Sequence, residues 1–261
     1  MKRLLLALAS LLIAGCAAVP RPATRSILDA LDASTIASPP YTAWARVLGK
    51  FVDEQGRVNF AAAAQDRADL DQFVAYVYDV GPNRQPELFP TANQVLAFHI
   101  NAYNALAMHK VIATGIPHSL SGLNKIGFFY FGKMQVGGEP ISLYDYENKV
   151  IRPLGDPRIH VALNCMSVGC PRLPREPFLP ETLNEQLDRE AWRFYNQPRN
   201  VQVDDARMVL RLSEILAFYS SDFLKQAPSL VAYVNRYREQ QLPLTYAVEF
   251  IPYDWTINTQ P

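Results

Sequence analysis

The stretch Val95 to Met108 reads Val-Leu-Ala-Phe-His-Ile-Asn-Ala-Tyr-Asn-Ala-Leu-Ala-Met, without one formally charged side chain. It lies inside a helical segment, Thr91 to Thr114, which Gly115 and Pro117 terminate and which Asn93 is placed to cap. A helix that is apolar almost all round has no face to give to water, so the rest of the domain must pack around it. Asn101 and Asn104 lie three residues apart, hence on one face, in a stripe with Phe98. Buried amides must find partners, so both are expected to pin a neighbouring loop. Donation to a developing oxyanion is the second role open to them.

Around that helix the pattern changes character. Tyr41 to Phe51, Ala61 to Tyr78, Leu143 to Ile151, Leu183 to Tyr195 and Ser229 to Arg238 have helical spacing or composition. Gly137-Gly138 and Asp204-Asp205 are turn signals between short β-like runs, and Arg158 to Leu163 and Tyr246 to Ile251 read as strands. The aromatic run Phe128 to Phe131 reads as a core strand, with a binding wall as the other option. Helices and hairpins without regular βαβ alternation predict an α+β domain, helices packed on a small antiparallel sheet. The chain has 261 residues, 49% hydrophobic, enough for one sizeable domain. Its 25 basic and 25 acidic side chains cancel, which gives no broad electrostatic footprint for nucleic acid.

The first residues form a targeting segment. Lys2 and Arg3 precede an apolar run, Leu4 to Ile13, too short to span a bilayer permanently. Leu12-Ile13-Ala14-Gly15-Cys16 is similar to the lipobox of bacterial lipoproteins, in which the cysteine thiol takes a diacylglycerol. Residues 1–15 are then a signal peptide, 16–40 a lipidated tether rich in Ala, Pro, Ser and Thr, and 41–261 the globular domain. The membrane partner is reached through the lipid on Cys16, as an anchor and not a span. Ala17 is not the aspartate of inner-membrane retention, so the periplasmic face of the outer membrane is the expected address. That compartment is oxidising, which favours pairing of neighbouring thiols.

Reactive side chains concentrate between Asp156 and Pro171, which hold His160, Cys165 and Cys170. His160 and Cys165 are five apart, so on a continuous strand they would point to opposite faces. They meet only if the chain bends, and Asn164 is placed to help it do so.

Four separated segments resemble the domain of unknown function 547 family: Leu96 to Leu106, Asp156 to Cys165, Cys170-Pro171, and Tyr253-Asp254-Trp255-Thr256-Ile257-Asn258. Gly56-Arg57-Val58-Asn59-Phe60 fits its opening, so the resemblance runs from about Tyr41 to Asn258. It implies a shape similar to papain-like and transglutaminase-like cysteine hydrolases. The chain departs from the family where His99 replaces a usual Trp and where Asn148 replaces a usual His after Glu147.

Two functions stay open. In the first, the protein is a cysteine hydrolase or acyltransferase acting on amide bonds of peptides or proteins. Cys165 attacks, His160 is base and then acid, and Glu147 orients the imidazole. Asn101, Asn104 and Asn164 support the loop. In the second, it is a non-catalytic binding or scaffold lipoprotein, His160 is a core residue, and Cys165–Cys170 is a structural disulfide. Zinc held by His160, Cys165 and Cys170 with His99, His109 or His118 fits no standard ligand spacing. No cofactor is called for, and neither Cys-x-x-Cys nor Gly-x-Ser-x-Gly is present.

Overall fold

The computed structural model describes residues 39–261, so the signal segment, Cys16 and the tether up to Ser38 lie outside the described residues. Helices α1 (Tyr41–Phe51), α2 (Phe60–Gln65) and α3 (Ala68–Asp79) lead to α4 (Ala92–Ala113). Every residue of α4 from Leu96 to Ile112 is buried, as an apolar surface without a polar stripe requires. Its cap is Thr91 rather than Asn93. The Thr91 hydroxyl accepts the Gln94 N–H and the Gln94 side chain accepts the Thr91 N–H, a reciprocal capping box. Asn93 instead donates to the Pro180 carbonyl.

After α4 come the hairpin β1 (Met134–Val136) and β2 (Glu139–Ile141), helix α5 (Leu183–Asn196), and strands β3 (Val201–Asp204) and β4 (Val209–Ser213). Helix α6 (Ser220–Leu224) and strand β5 (Ala247–Ile251) follow. The fold is α+β. The larger sheet is mixed where an antiparallel one was expected: β3 pairs antiparallel with β4, and β5 returns parallel to β4. No helix among the described residues is long and apolar enough to cross a membrane.

Two expected strands are absent. Pro157–Val161 is a 3-10 turn, because the Asp156 carboxylate accepts the Arg158 N–H and Pro157 presets the first helical position. Gly127–Phe131 is a π-helical turn. The buried ammonium of Lys110 on α4 donates to its Phe128 carbonyl and to the Gly132 carbonyl, where a ladder would otherwise have to satisfy them. The helix expected to reach Arg238 covers only Leu230–Val234.

Two cores share the chain. One surrounds α4; the other packs α5 against β3 and β4. The segment 157–171 crosses between them: Val161 belongs to the second, and Ala162, Cys165 and Cys170 to the first. Helix α4 fixes that crossing. Asn104 donates to the Ala162 carbonyl at 3.0 Å and accepts the Asn164 N–H at 2.7 Å. Asn101 does the same for Phe178, donating to its carbonyl and accepting its N–H, and also accepts the Trp44 indole N–H. Asn104→Ala is expected to cost about 2–4 kcal/mol, since it orphans two buried backbone groups at about 1–3 kcal/mol each. At about 2–4 °C per kcal/mol, the thermal midpoint should fall by roughly 5–15 °C, and a fall of about 1 °C or less would contradict the pin.

Candidate functional site

A cavity of about 320 Å³ opens at the seam between the two cores. Cys165, Cys170, His160, Glu147, Tyr103, Tyr219 and Tyr253 line it among others, and Phe129, Tyr130, Tyr144, Phe218 and Trp255 make it strongly aromatic. The π-helical turn supplies Phe129 and Tyr130. Tyr130 stacks near Tyr144 with centroids 4.6 Å apart, and Phe129 meets the Trp255 ring at 5.9 Å. The aromatic run is therefore both core and wall: Phe128 and Phe129 are buried, while Tyr130 and Phe131 are exposed.

The cysteine loop is built by side-chain turns. Asn164 accepts the Met166 N–H on its carboxamide oxygen and donates to the Pro171 carbonyl, closing the loop across its base. Met166 takes a left-handed conformation, φ 73°, which costs energy outside glycine and marks the sharp bend after Cys165. The C-terminal segment lies along the loop: the Val168 and Gly169 N–H groups donate to the Thr256 and Asp254 carbonyls, and Asn258 N–H donates to the Met166 carbonyl. Gly169 is obligatory here, since a Cβ would come within 2.9 Å of the Tyr253 ring. Arg199 donates to the Val168 and Cys170 carbonyls from the other side.

Within this frame the two cysteines are free thiols with sulfurs 3.0 Å apart. The Tyr253 hydroxyl lies 3.3 Å from Cys165 Sγ and 2.9 Å from Cys170 Sγ, and the Ser167 hydroxyl lies 3.3 Å from Cys165 Sγ. The Cys165 N–H donates to Cys170 Sγ at 3.0 Å. The sulfurs are not equivalent. The Cys170 thiol, with the Ser167 and Tyr253 hydroxyls, draws Cys165 down to about 7 against the opposing effect of burial. Burial, then the hydrogen bond to Cys165 and the charge on it, push Cys170 well up. Cys165 is thus the thiolate former and Cys170 the proton holder. The rate of Cys165 alkylation should rise through a midpoint near pH 7. Tyr253→Phe should raise that midpoint by about half a unit to one unit, the worth of one lost hydrogen bond of about 1 kcal/mol. An unchanged midpoint in that variant would remove Tyr253 from the account.

His160 is on the same cavity wall but in a different network. Its Nε2 lies 3.0 Å from the Asp222 carboxylate on α6, and its ring stacks on Tyr219 with centroids 3.9 Å apart. Its Nδ1 is buried without a partner. Burial lowers the imidazole's affinity for a proton, and the Asp222 bond opposes this without overcoming it. The His160 N–H, with the Arg152 guanidinium, holds the Asp222 carboxyl well below the usual carboxylate range. The neutral tautomer therefore carries its proton on Nε2, toward Asp222, and leaves the Nδ1 lone pair free. No hydrogen bond joins His160 to either sulfur among the described residues.

The carboxylate on the imidazole is Asp222, where Glu147 was the sequence expectation. Glu147 is buried and accepts from the Tyr103 hydroxyl at 3.1 Å. Glu147 makes no hydrogen bond to the imidazole among the described residues; its charge raises the ring's proton affinity through space. Asn148 donates to the Tyr144 carbonyl and accepts from Arg152. Asp222 carries no local signal, being 62 residues from His160 in a short Ser-Ser-Asp-Phe helix. His99 bonds the Tyr146 hydroxyl, His109 lies against Arg67, and among the described residues no three His, Cys, Asp or Glu side chains form a ligand cluster.

No curated protein and no solved structure matches the chain. Residues 89–195 match the family described as "Protein of unknown function, DUF547". That span takes in α4 with both asparagines, Glu147, His160 and both cysteines, and leaves outside it the cavity residues Ile215, Phe218, Tyr219, Tyr253 and Trp255, with Asp222 on α6. The matched span, residues 89–195, thus carries a DUF547 family domain.

Proposed function

We propose that the protein is a lipid-anchored thiol hydrolase or acyltransferase, facing the periplasm, that acts on amide bonds of peptides or proteins. One observation carries this reading. A thiol drawn toward ionisation shares a cavity with an imidazole that has one nitrogen held by a carboxylate and the other bare. A cysteine acyl-transfer site needs a thiolate, a base whose tautomer is fixed, and a group that fixes it. Cys165, His160 and Asp222 fill those roles here. The missing Cys165–His160 bond does not exclude them, since such bonds are often long in an empty site and tighten once substrate is bound. The aromatic walls suit an apolar or aromatic side chain next to the scissile bond. The lipobox-like segment ending at Cys16 supports the anchor.

The test is covalent trapping. Reduced full-length protein is mixed with activated peptide esters and thioesters, quenched in acid and mapped by mass spectrometry. An acyl adduct on Cys165, absent in Cys165→Ser, is the expected result. Acylation elsewhere, or none with any peptide tried while Cys165 remains free to alkylate, would overturn the reading.

A further inference from the structure

We propose that Cys165 and Cys170 form a dithiol couple that reduces disulfides entering the cleft, a chemistry separate from acyl transfer at the same sulfur. Three observations carry it. First, the sulfurs stand 3.0 Å apart, so closing a bond of about 2.05 Å needs a movement of only about 1 Å. Second, the loop is already shaped for that closure. The Met166 bend, the Asn164 bridge to Pro171, the Cys170 N–H on the Ser167 carbonyl and the C-terminal segment along 166–169 hold both ends. Third, both sulfurs line a cavity large enough to admit a reactant, whereas a purely structural bridge has no use for one. The two thiols also divide the labour of an exchange couple, one forming thiolate readily and the other keeping its proton until needed. Four residues separate the cysteines, so the pair escapes a search for Cys-x-x-Cys.

The electron count closes. The Cys165 thiolate, its proton already given to solvent, attacks one sulfur of an incoming disulfide R–S–S–R′. That S–S bond breaks, R′–S⁻ departs and takes up a solvent proton, and Cys165 is left in a mixed disulfide with R–S. Cys170 then loses its proton and attacks Cys165 Sγ, expelling R–S⁻, which takes up that proton. Two electrons and two protons have passed from the cysteine pair to the incoming disulfide. The Tyr253 hydroxyl, within reach of both sulfurs, is placed to donate to whichever one carries charge. The oxidised couple has no thiolate at Cys165, so acyl transfer would be off until a thiol restores it.

The experiment needs no acyl substrate, so it stands or falls apart from the proposed hydrolase. Reduced full-length protein is incubated with oxidised glutathione at neutral pH, then quenched, alkylated and mapped. Wild-type protein should lose both thiols together, form a Cys165–Cys170 disulfide and retain no glutathione. Cys170→Ser should stop at a glutathione adduct on Cys165, and Cys165→Ser should react at least about tenfold more slowly. Wild-type protein that stops at the adduct, or Cys165→Ser that reacts at the wild-type rate, would overturn the proposal. If either variant fails to fold, wild-type protein decides alone. Equilibrated in glutathione redox buffers, it should show one transition in which both thiols disappear together, and independent loss of the two would contradict the couple.

Discussion

His160→Gln is expected to lower turnover of a Cys165-dependent peptide substrate by about 10²–10⁴, the contribution of a positioned acid–base group. Glutamine fills similar space and can still donate to Asp222, so the packing on Tyr219 is disturbed less than by alanine. It has no basic nitrogen to replace Nδ1. Asp222→Asn should act in the same direction, by up to about 10⁴, because an amide no longer imposes the Nε2–H tautomer. Lys225 touches the same carboxylate from solvent and is largely exposed. Surface ion pairs are worth about 0–1 kcal/mol, so Lys225→Met should stay within a few-fold of wild type. Steady-state rates for the three variants separate a positioned base from a loss of fold. Equal losses in all three would mean that α6 merely supports the cavity.

Glu190→Gln should be the most destabilising single change outside the cavity, at about 3–5 kcal/mol, the cost of leaving a buried ion pair without one partner. The Glu190 side chain on α5 is 1% exposed and receives the guanidinium groups of Arg172, Arg189 and Arg193. Arg172 is the partner that matters most, because it is itself nearly buried and follows Cys170 by two residues. Asn104 anchors the cysteine loop at its entrance and Arg172–Glu190 anchors it at its exit. Denaturant unfolding should show the loss in stability. Amide exchange should show faster opening at 165–172 than in the middle of α4. Loss of less than about 1 kcal/mol would show that Arg189 and Arg193 reorganise to satisfy Arg172.

The sequence made some of this legible through patterns that local physics enforces. The unbroken apolar surface of α4 could only be buried, and the two asparagines on one of its faces had to bond something. The hairpin at Gly137-Gly138 followed from turn chemistry. Other features depended on contacts far along the chain. Residues 157–161 looked like a strand because Ile159 and Val161 alternate with polar residues, but Asp156 and Pro157 impose a helical turn. That turn also removes the argument that His160 and Cys165 must face opposite ways. Phe128 to Phe131 looked like a strand because nothing local announces that Lys110 will satisfy its carbonyls. Asp222 was invisible for a similar reason: a lone acid in a short helix becomes the imidazole's partner only when α6 folds back against 157–161. The mixed sheet arose likewise, since parallel pairing of β4 with β5 needs the long connection between them and has no signature inside either strand.

The proposed chemistry rests on His160 moving the proton for Cys165 across the shared cavity. The most direct measurement compares two rates between pH 5 and 9, in reduced wild-type protein and in His160→Gln: carbamidomethylation of Cys165 by iodoacetamide, and acylation of Cys165 by a peptide amide, both mapped by mass spectrometry. Both proteins should alkylate with a midpoint near pH 7, which Cys170, Ser167 and Tyr253 set, whereas His160→Gln should acylate about 10²–10⁴ more slowly. Equal acylation rates in the two proteins would contradict the account, because they would leave His160 with no part in the chemistry.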